Sequence, residues 1–390
     1  MDLDLTEEQR LLRQTVRDLC ARHSTPEIVR ALETDPLGYR PELWAELGRS
    51  GLLGLTVPEE FGGSGLGALD LAVVYEEFGR ALCPSPHFVS GVVAAGVLRA
   101  GASQEVQSEW LPRVASGEVV VSVAWLEPGG GAGPEGVQAE ATGGEISELP
   151  QNVAPFVASP STRITGTKLL VPFASSAMQL LVTARTGDGV GIFTVDPRAP
   201  GVEITPQPTL AADASFQVRF DDAEAGARVG DWSAWERAIP DALIALAAQA
   251  VGGAVRAHEM ATAYAKERVQ FDRPIGSFQA IAHPLAEMAM EIEGARALTH
   301  EAAWARSTGR PATTLAAMAK LYACDVFRRT TKLGQQVFGG IGFTTDIDMQ
   351  LYFRRAKQLE ITWWEPRYLE ALIAEAELDA EQPFVGIDAD

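Results

Sequence analysis

A glycine-rich segment in the last quarter of the chain has residue types that suit nucleotide binding. The segment Gln336–Phe343 reads QVFGGIGF. Glycine has no Cβ, so a phosphate or ribose can approach Gly339 and Gly340 closely, and the Gln336 amide can hydrogen-bond to it. A tight turn between two helices would use the same glycines for their positive φ. The segment alone therefore leaves two alternatives open, a nucleotide site and a plain turn.

A second segment, Arg268–His283, lies earlier in the chain and reads RVQFDRPIGSFQAIAH. A turn that joins two helices accounts for its proline and its glycine. It does not account for Arg268, Phe271 and Gln279, which accompany the glycine-rich segment. A guanidinium group pairs well with a pyrophosphate, so this second segment favours the nucleotide alternative.

The elements that must position these segments are helices, then strands, then helices again. Thr6 and Gln9 form a capping-box pattern at the start of the first helix. Short β-branched runs with frequent Gly and Pro begin near Val119 and predict a small antiparallel sandwich or barrel. Helical periodicity returns near Ala234 and continues to about Leu378. The remaining predicted helices are Pro41–Ser50, Gly67–Leu82 and Ser103–Ala115, and the predicted strands are Val119–Ala124, Leu169–Val171, Leu180–Ala184, Val190–Val195 and Gln217–Phe220.

These patterns predict an α+β protein of three domains. We expect an N-terminal helical domain at 1–118, a middle β-domain at 119–232, and a C-terminal helical domain with an acidic tail at 233–390. The glycine-biased stretch Gly129–Gly144 is predicted to be a mobile loop.

Composition narrows the classes of partner. The chain has 52 Asp and Glu against 32 Lys and Arg, a net charge of −20, which disfavours nucleic acid and anionic membranes. The 3 cysteines and 5 histidines show no metal-ligand spacing, so no metal is expected. The N-terminus lacks the basic and apolar regions of a secretory signal. The apolar stretch Ala242–Val255 is shorter than a membrane span. We expect a cytoplasmic protein.

The two motifs, their order, the helix–strand–helix arrangement and the Val57–Gly63 turn together resemble the acyl-CoA dehydrogenase family over nearly the whole chain. The likeness is greatest to the actinobacterial branch, which includes sterol side-chain-degrading enzymes. It implies a C-terminal four-helix bundle that drives tetramer formation and FAD that lies across a subunit interface. It further implies an acyl-CoA substrate, α,β-desaturation of its thioester, and an electron-transfer acceptor protein. The positions that the resemblance assigns to FAD are Arg268, Phe271, Gln279, Gln336, Gly339 and Gly340.

The positions at which the family carries its catalytic glutamate are altered. One lies six residues after Lys357 and is Trp363, and the other, counted back from Arg268, is Ala242. Neither side chain can accept a proton. Asp241, Glu360 and Glu365 are neighbours in sequence, but a shift of one residue rotates a helical side chain by about 100°. We expect helix-surface roles for these three carboxylates, and the catalytic residue stays unknown.

Positions on the flavin side depart from the family pattern as well. Hydroxyl-bearing residues of the family are replaced by Leu126 and Ala132, and its Trp-Ile-Thr stretch is replaced by 170–172, which reads LVP. Asp272 stands where the family usually has glycine and places a negative charge near an expected pyrophosphate.

Three hypotheses follow. The chain is one subunit of an α2β2 acyl-CoA dehydrogenase whose partner supplies the catalytic Glu, or it is a homo-oligomeric enzyme with Asp241 as an unusual base. Alternatively, it is a scaffold subunit that keeps the fold without a cofactor.

Overall fold

The computed structural model describes residues 4–143 and 162–379, which form two compact units. The described part of the first unit comprises 4–26, 67–83 and 243–379, and that of the second comprises 27–66, 84–143 and 162–242. Along the sequence, helices precede and follow the strands of a sheet, so the α+β fold class is confirmed. The helices are α1 (Glu7–His23), α2 (Pro26–Leu32), α3 (Pro41–Arg49), α4 (Ala68–Arg80), α5 (Ala95–Gly101), α6 (Gln104–Ser116), α7 (Trp232–Glu267), α8 (Gln279–Ser307), α9 (Thr313–Phe338), α10 (Met349–Ile361) and α11 (Pro366–Ala374).

The first unit is helical, and its start follows the predicted capping box. The Thr6 backbone N–H donates to Gln9 Oε1 at 3.2 Å, and the Gln9 backbone N–H donates to Thr6 Oγ1 at 3.2 Å. Helix α9 packs against α8, α10 and α11. Helices α4 and α7 cross so closely that a Cβ at Gly79 or Gly252 would overlap backbone of the other helix. Glycine therefore permits this crossing.

The second unit is built on one sheet. Its strands are β1 (Val121–Ala124), β2 (Glu140–Thr142), β3 (Arg163–Pro172), β4 (Gln179–Thr186), β5 (Gly189–Val195), β6 (Val202–Pro206), β7 (Ser215–Glu224) and β8 (Arg228–Asp231). The order is β6-β7-β3-β2-β4-β5-β8, with β1 also paired to β4. Alternating apolar residues of these strands form its core, for example Ile164, Val182 and Val218.

The sheet corrects part of the sequence prediction. Strand β4 pairs in parallel with β1 and β2, so the sheet is mixed and not wholly antiparallel. All five predicted strands lie in or overlap observed ones, but β2, β6 and β8 were not predicted. Part of the predicted loop Gly129–Gly144 has regular secondary structure. It contains a short 3-10 helix at Pro134–Gly136 and strand β2, which pairs with β3. Residue 144 and the acidic tail from 380 onward lie outside the described residues.

Helix α7 also corrects the statement that the apolar stretch is too short to span a membrane. Its 36 residues are long and apolar enough by length and composition alone, and 89% of its most apolar window is buried inside the protein. That burial is what the core helix of a folded protein shows.

Candidate functional site

The segment after α7 is a small hairpin, formed by β9 (Val269–Gln270) and β10 (Arg273–Pro274), that raises an aromatic side chain into solvent. The two central residues, Phe271 and Asp272, have φ of 52° and 63°. Positive φ at both central positions belongs to a type I′ turn, where Gly is preferred, so this turn costs backbone strain. Phe271 is nevertheless 87% exposed. A strained turn that presents an exposed phenyl ring is typical of a surface that receives a ligand or another chain.

Helix α8 begins at Gln279, after the hairpin and a short 3-10 helix at Ile275–Ser277. The first backbone N–H groups of a helix and its dipole favour an anion at this end. The Arg273 guanidinium stacks on the Phe278 ring at 4.0 Å from its centroid. By contrast, the Arg268 guanidinium is exposed and makes no hydrogen bond or ion pair with any residue in 4–143 or 162–379. The Arg268 carbonyl oxygen accepts a hydrogen bond from the Ile275 backbone N–H at 2.8 Å, so the Arg268 backbone lies against the turn that precedes α8. An unpaired guanidinium in this segment suits a phosphate group.

The glycine-rich segment begins in the last turn of α9 and continues as a short 3-10 helix, Gly339–Phe343, that is mostly exposed. Gly339 has φ of 67°, so its own backbone conformation favours glycine. A Cβ on Gly342 would come within 2.7 Å of the Gln335 carbonyl oxygen, so this glycine serves packing. Gly340 has neither requirement, because a Cβ there would meet open space. Its glycine therefore fits a position that a ligand approaches.

The structure brings the ends of the two helices that precede these segments together. Tyr264 of α7 stacks on Phe338 of α9 with ring centroids 4.5 Å apart and an interplanar angle of 29°. Gly276 also lies close to α7, since a Cβ there would be 3.0 Å from the Ala265 carbonyl oxygen. Both motifs therefore belong to one region of the first unit.

All six positions predicted to bind FAD are exposed in the single chain, namely Arg268, Phe271, Gln279, Gln336, Gly339 and Gly340. An unpaired guanidinium, a helix N-terminus, two amide side chains and open glycine backbone are chemically suited to an ADP moiety. The Asp272 carboxylate opposes this locally with its charge. The residues present fit the cofactor on balance, and their exposure suits a site that a second chain completes.

The first family position for the catalytic base lies in an irregular segment between α10 and α11. Trp363 and Trp364 have φ of 50° and 67°, and their rings lie 5.8 Å apart. Trp364 is 1% exposed. Two consecutive left-handed tryptophans are costly, so the fold must hold them in place. No group at this position can accept a proton.

The support for this segment is a buried lysine that sequence reasoning missed. Lys320 of α9 is 1% exposed, and its Nζ donates to the carbonyl oxygens of Glu360, Thr362 and Trp364 at 3.2, 3.3 and 2.9 Å. Burial lowers the pKa of Lys320. The ammonium group thereby satisfies carbonyl groups at the end of α10 and fixes the path of the two tryptophans.

The second family position, Ala242, is fully buried. Its neighbour Asp241 accepts a hydrogen bond from the Arg99 guanidinium at 3.2 Å, and Arg99 also donates to the Thr56 carbonyl oxygen. Asp241 is buried, at 6% exposure, so the helix-surface role expected for it is wrong. Its assignment as the catalytic base stays a prediction.

The other two carboxylates near the base positions have structural contacts. Glu360 accepts from Arg328 at 2.9 Å and from Lys357 at 2.6 Å. Glu365 is the N-cap of α11 and accepts from the Arg367 backbone N–H at 2.7 Å. Glu365 is exposed and agrees with the expected helix-surface role, whereas the Glu360 side chain is only 15% exposed and is held by its two cationic partners.

A second buried lysine lies in the sheet of the second unit. Lys168 Nζ donates to Glu127 Oε1 at 2.6 Å and to Thr183 Oγ1 at 2.9 Å. The Glu127 carboxylate also accepts from the Ala139 backbone N–H, at 2.9 Å to Oε2. Burial lowers the pKa of Lys168 to about 8. The Lys168–Glu127 pair joins the segment that carries Leu126 to strand β3. The position at which Leu126 replaces a family hydroxyl residue therefore lies next to a buried, hydrogen-bonded ion pair.

Metal and thiol chemistry find little support in the described parts of the chain. Within 4–143 and 162–379, no group of three His, Cys, Asp or Glu side chains could hold a metal ion. Cys20, Cys83 and Cys324 are free and buried.

The chain matches two family models, the acyl-CoA dehydrogenase N-terminal domain over residues 6–118 and the acyl-CoA dehydrogenase C-terminal domain over residues 232–363. It is 34% identical over 384 residues to the "Probable acyl-CoA dehydrogenase YngJ" of Bacillus subtilis, with 93% of this chain and 95% of that protein covered. The chain belongs to the acyl-CoA dehydrogenase family. The family resemblance drawn from the two motifs is thus confirmed.

Two solved structures extend this comparison. A variant of the Tcur3481–Tcur3483 steroid ACAD is 32% identical with a TM-score of 0.83, over 95% of this chain and 97% of that one. The ChsE4–ChsE5 complex from Mycobacterium tuberculosis contains a chain that is 30% identical with a TM-score of 0.83, over 98% of this chain and 100% of that one. Both likenesses extend over nearly the entire acyl-CoA dehydrogenase fold.

Proposed function

We propose that this chain is one subunit of a heteromeric, FAD-dependent acyl-CoA dehydrogenase and that a related partner subunit supplies the carboxylate base. The observation that carries the proposal is a contrast between the predicted FAD positions and the positions of the catalytic base. The residues predicted to bind the ADP moiety are present and exposed, whereas tryptophan and alanine occupy the two base positions.

The reaction removes a proton from the α-carbon of an acyl-CoA and a hydride from the β-carbon, leaving a carbon–carbon double bond. FAD, when bound, accepts the hydride. The proton needs a carboxylate whose pKa is raised by a dry surrounding, because the α-proton is weakly acidic. In this chain Trp363 and Ala242 stand at the two family base positions, and the Asp241 carboxylate is held by the Arg99 guanidinium. The partner's carboxylate therefore takes the proton.

This chain would contribute binding and orientation. Arg268 and the N-terminus of α8 would hold the pyrophosphate, and Gln336, Gly339 and Gly340 would hold the remainder of the ADP moiety. Phe271 would pack against the cofactor or the neighbouring subunit. The exposure of these groups supports a role in a site shared between chains.

The comparisons support the same arrangement. The ChsE4–ChsE5 complex and the Tcur3481–Tcur3483 steroid ACAD are each named for a pair of proteins. By analogy we propose a hetero-tetramer, a steroid or branched acyl-CoA as substrate, and an electron-transfer protein as acceptor. The three-domain division at 1–118, 119–232 and 233–390 and a cytoplasmic location belong to the same proposal.

A scaffold role without cofactor is the second candidate, and Asp272 is the observation that favours it. Its carboxylate sits at the tip of the hairpin between Arg268 and Gln279 in the sequence. An anionic group there would oppose the approach of a pyrophosphate.

The visible absorbance of oxidised flavin separates these candidates. The chain is purified alone and together with the product of a neighbouring related gene, and the FAD content per chain is measured in each. We expect little flavin on the chain alone and a full complement on the complex. Full FAD on the chain alone would contradict the shared site, and no flavin in either preparation would favour the scaffold.

Variants of this chain sharpen the measurement. Arg268→Gln in the complex is expected to weaken FAD binding by about tenfold or more, because a charged hydrogen bond contributes roughly 1.5–3 kcal/mol. Arg219→Gln removes an equal charge from an exposed position on β7 and should leave FAD binding unchanged. Equal affinities of the two variants would remove Arg268 from the proposed site.

A further inference from the structure

A cavity of about 390 Å³ in the first unit is lined by more arginines than carboxylates, the latter being Asp4, Glu76 and Glu77. Five arginines contribute to its wall, Arg10, Arg13, Arg17, Arg80 and Arg296. They come from α1, α4 and α8, and none belongs to the two FAD-related segments. The cavity lies within the volume range of small-molecule sites. Its charge is opposite to the net charge of −20 of the whole chain.

Three of these guanidinium groups are held in place by ion pairs. Arg17 donates two hydrogen bonds to Glu77, at 2.9 and 2.7 Å, and Arg80 donates two to Glu259, at 2.8 and 2.6 Å. Arg296 donates to Glu76 at 3.3 Å. Bidentate pairs of this kind fix the orientation of the guanidinium plane. The wall of the cavity is therefore preorganised.

The other two arginines keep their charge without a protein partner. The Arg10 and Arg13 side chains make no hydrogen bond or ion pair with residues 4–143 or 162–379. Together with Arg17 they repeat along α1 at spacings of three and four residues, which places them on one face of the helix. That face borders the cavity. The cavity thus holds two guanidinium groups that have no ion-pair partner among the described residues, and the Asp4 carboxylate lies in the same lining.

A row of arginines on a helix is commonly just a solvated face. Here the row borders a concave space whose far wall carries Arg80 and Arg296. Glu259 pairs with Arg80, Glu76 and Glu293 pair with Arg296, and Glu77 pairs with Arg17, so the charge that is left without an ion pair in the described chain is that of Arg10 and Arg13. The lining as a whole carries five arginines against the three carboxylates Asp4, Glu76 and Glu77, which favours an anion in this space.

We propose that this cavity binds a compact polyvalent oxyanion of the phosphate or diphosphate class. Arg10 and Arg13 would close on the anion from α1. The inference rests on the first unit alone and is independent of how FAD is bound.

The probe is inorganic pyrophosphate, titrated by isothermal calorimetry at low ionic strength into the FAD-loaded complex, in which the cofactor already occupies the proposed site of Arg268. We expect one saturable site per chain. The double variant R10Q/R13Q should bind at least about tenfold more weakly, because it loses two charge-assisted contacts. The control R49Q/R219Q removes two exposed arginines of the second unit and should bind like the wild type.

Equal pyrophosphate affinity in both double variants, or no saturable heat with the wild type, would overturn the proposal. Inorganic phosphate serves as a second titrant and shows whether one phosphoryl group suffices. If R10Q/R13Q folds poorly, the single variant R10Q replaces it, since Arg10 is exposed. The anion-dependent rise in Tm then provides a second readout. Flavin absorbance is recorded in parallel, so a failure of this site is distinguishable from a failure of the FAD proposal.

Discussion

Replacement of Lys168 by methionine tests how the second unit holds its sheet together. Lys168 is fully buried, and its ammonium group bonds to Glu127 and Thr183. Methionine fills a similar volume without charge, so the change removes the cation and leaves the Glu127 carboxylate buried at 5% exposure. Its remaining donor is the Ala139 backbone N–H.

The expected loss of stability follows from the geometry. Removal of one partner of a buried ion pair costs about 3–5 kcal/mol, because the other charge remains without full compensation. The second unit has about 200 residues, a size at which 1 kcal/mol shifts Tm by roughly 2–4 °C. We therefore expect Lys168→Met to lower Tm by roughly 6–20 °C.

The assay is thermal unfolding followed by far-ultraviolet circular dichroism. Lys332→Met serves as the matched control, because it removes an exposed lysine and should change Tm by only about 1–2 °C. The double variant Lys168→Met with Glu127→Leu should recover most of the loss, since no buried charge then remains. A Tm for Lys168→Met equal to that of the control would refute the reasoning.

Three further predictions concern pH, glycine and the base. Burial lowers the pKa of Lys168 to about 8 from 10.5, so the unfolded chain binds more protons between these values. The Tm of the wild type should therefore rise relative to Lys168→Met as the pH increases through this window. Gly340→Ala should reduce FAD binding in the complex at unchanged Tm, since its Cβ meets open space, whereas Gly252→Ala should lower Tm because its Cβ overlaps α4. Asp241→Asn should leave the rate of flavin reduction by acyl-CoA unchanged in stopped-flow absorbance, because the carboxylate is already paired with Arg99; a large decrease would identify it as the base.

Local signals in the sequence were sufficient for much of the fold. The capping pattern of Thr6 and Gln9 forms as expected, and the long β-branched runs became strands. Strand β2 was missed because Glu140–Thr142 is short and half exposed, and its pairing with β3 depends on residues distant in sequence. Helix α5 was missed because small apolar residues at 88–101 are buried on all sides and show no amphipathic period.

The two FAD-related segments could be located from residue types. The suitability of glycine and arginine for binding a nucleotide follows from their chemistry and does not depend on how the chain packs. The roles of Lys320 and Lys168 could not, because lysine is exposed by default and its burial is decided by tertiary partners. The positive φ of Trp363 could not be predicted, because no sequence rule gives tryptophan a left-handed backbone conformation. The hydrogen bonds from Lys320 to the carbonyl groups that support this segment come from a separate helix. Likewise, the arginines of α1 read as a solvated face until α4 and α8 complete the cavity.

The measurement that tests the central claim most directly is an anaerobic titration of FAD-loaded protein with an acyl-CoA substrate, followed by flavin absorbance. The chain is loaded with excess FAD either alone or in complex with its partner subunit. We predict that the complex loses the absorbance of oxidised flavin stoichiometrically and that the chain alone does not, because it holds little FAD and because Trp363 and Ala242 leave it without a base. Stoichiometric reduction of flavin on the chain alone would contradict the account.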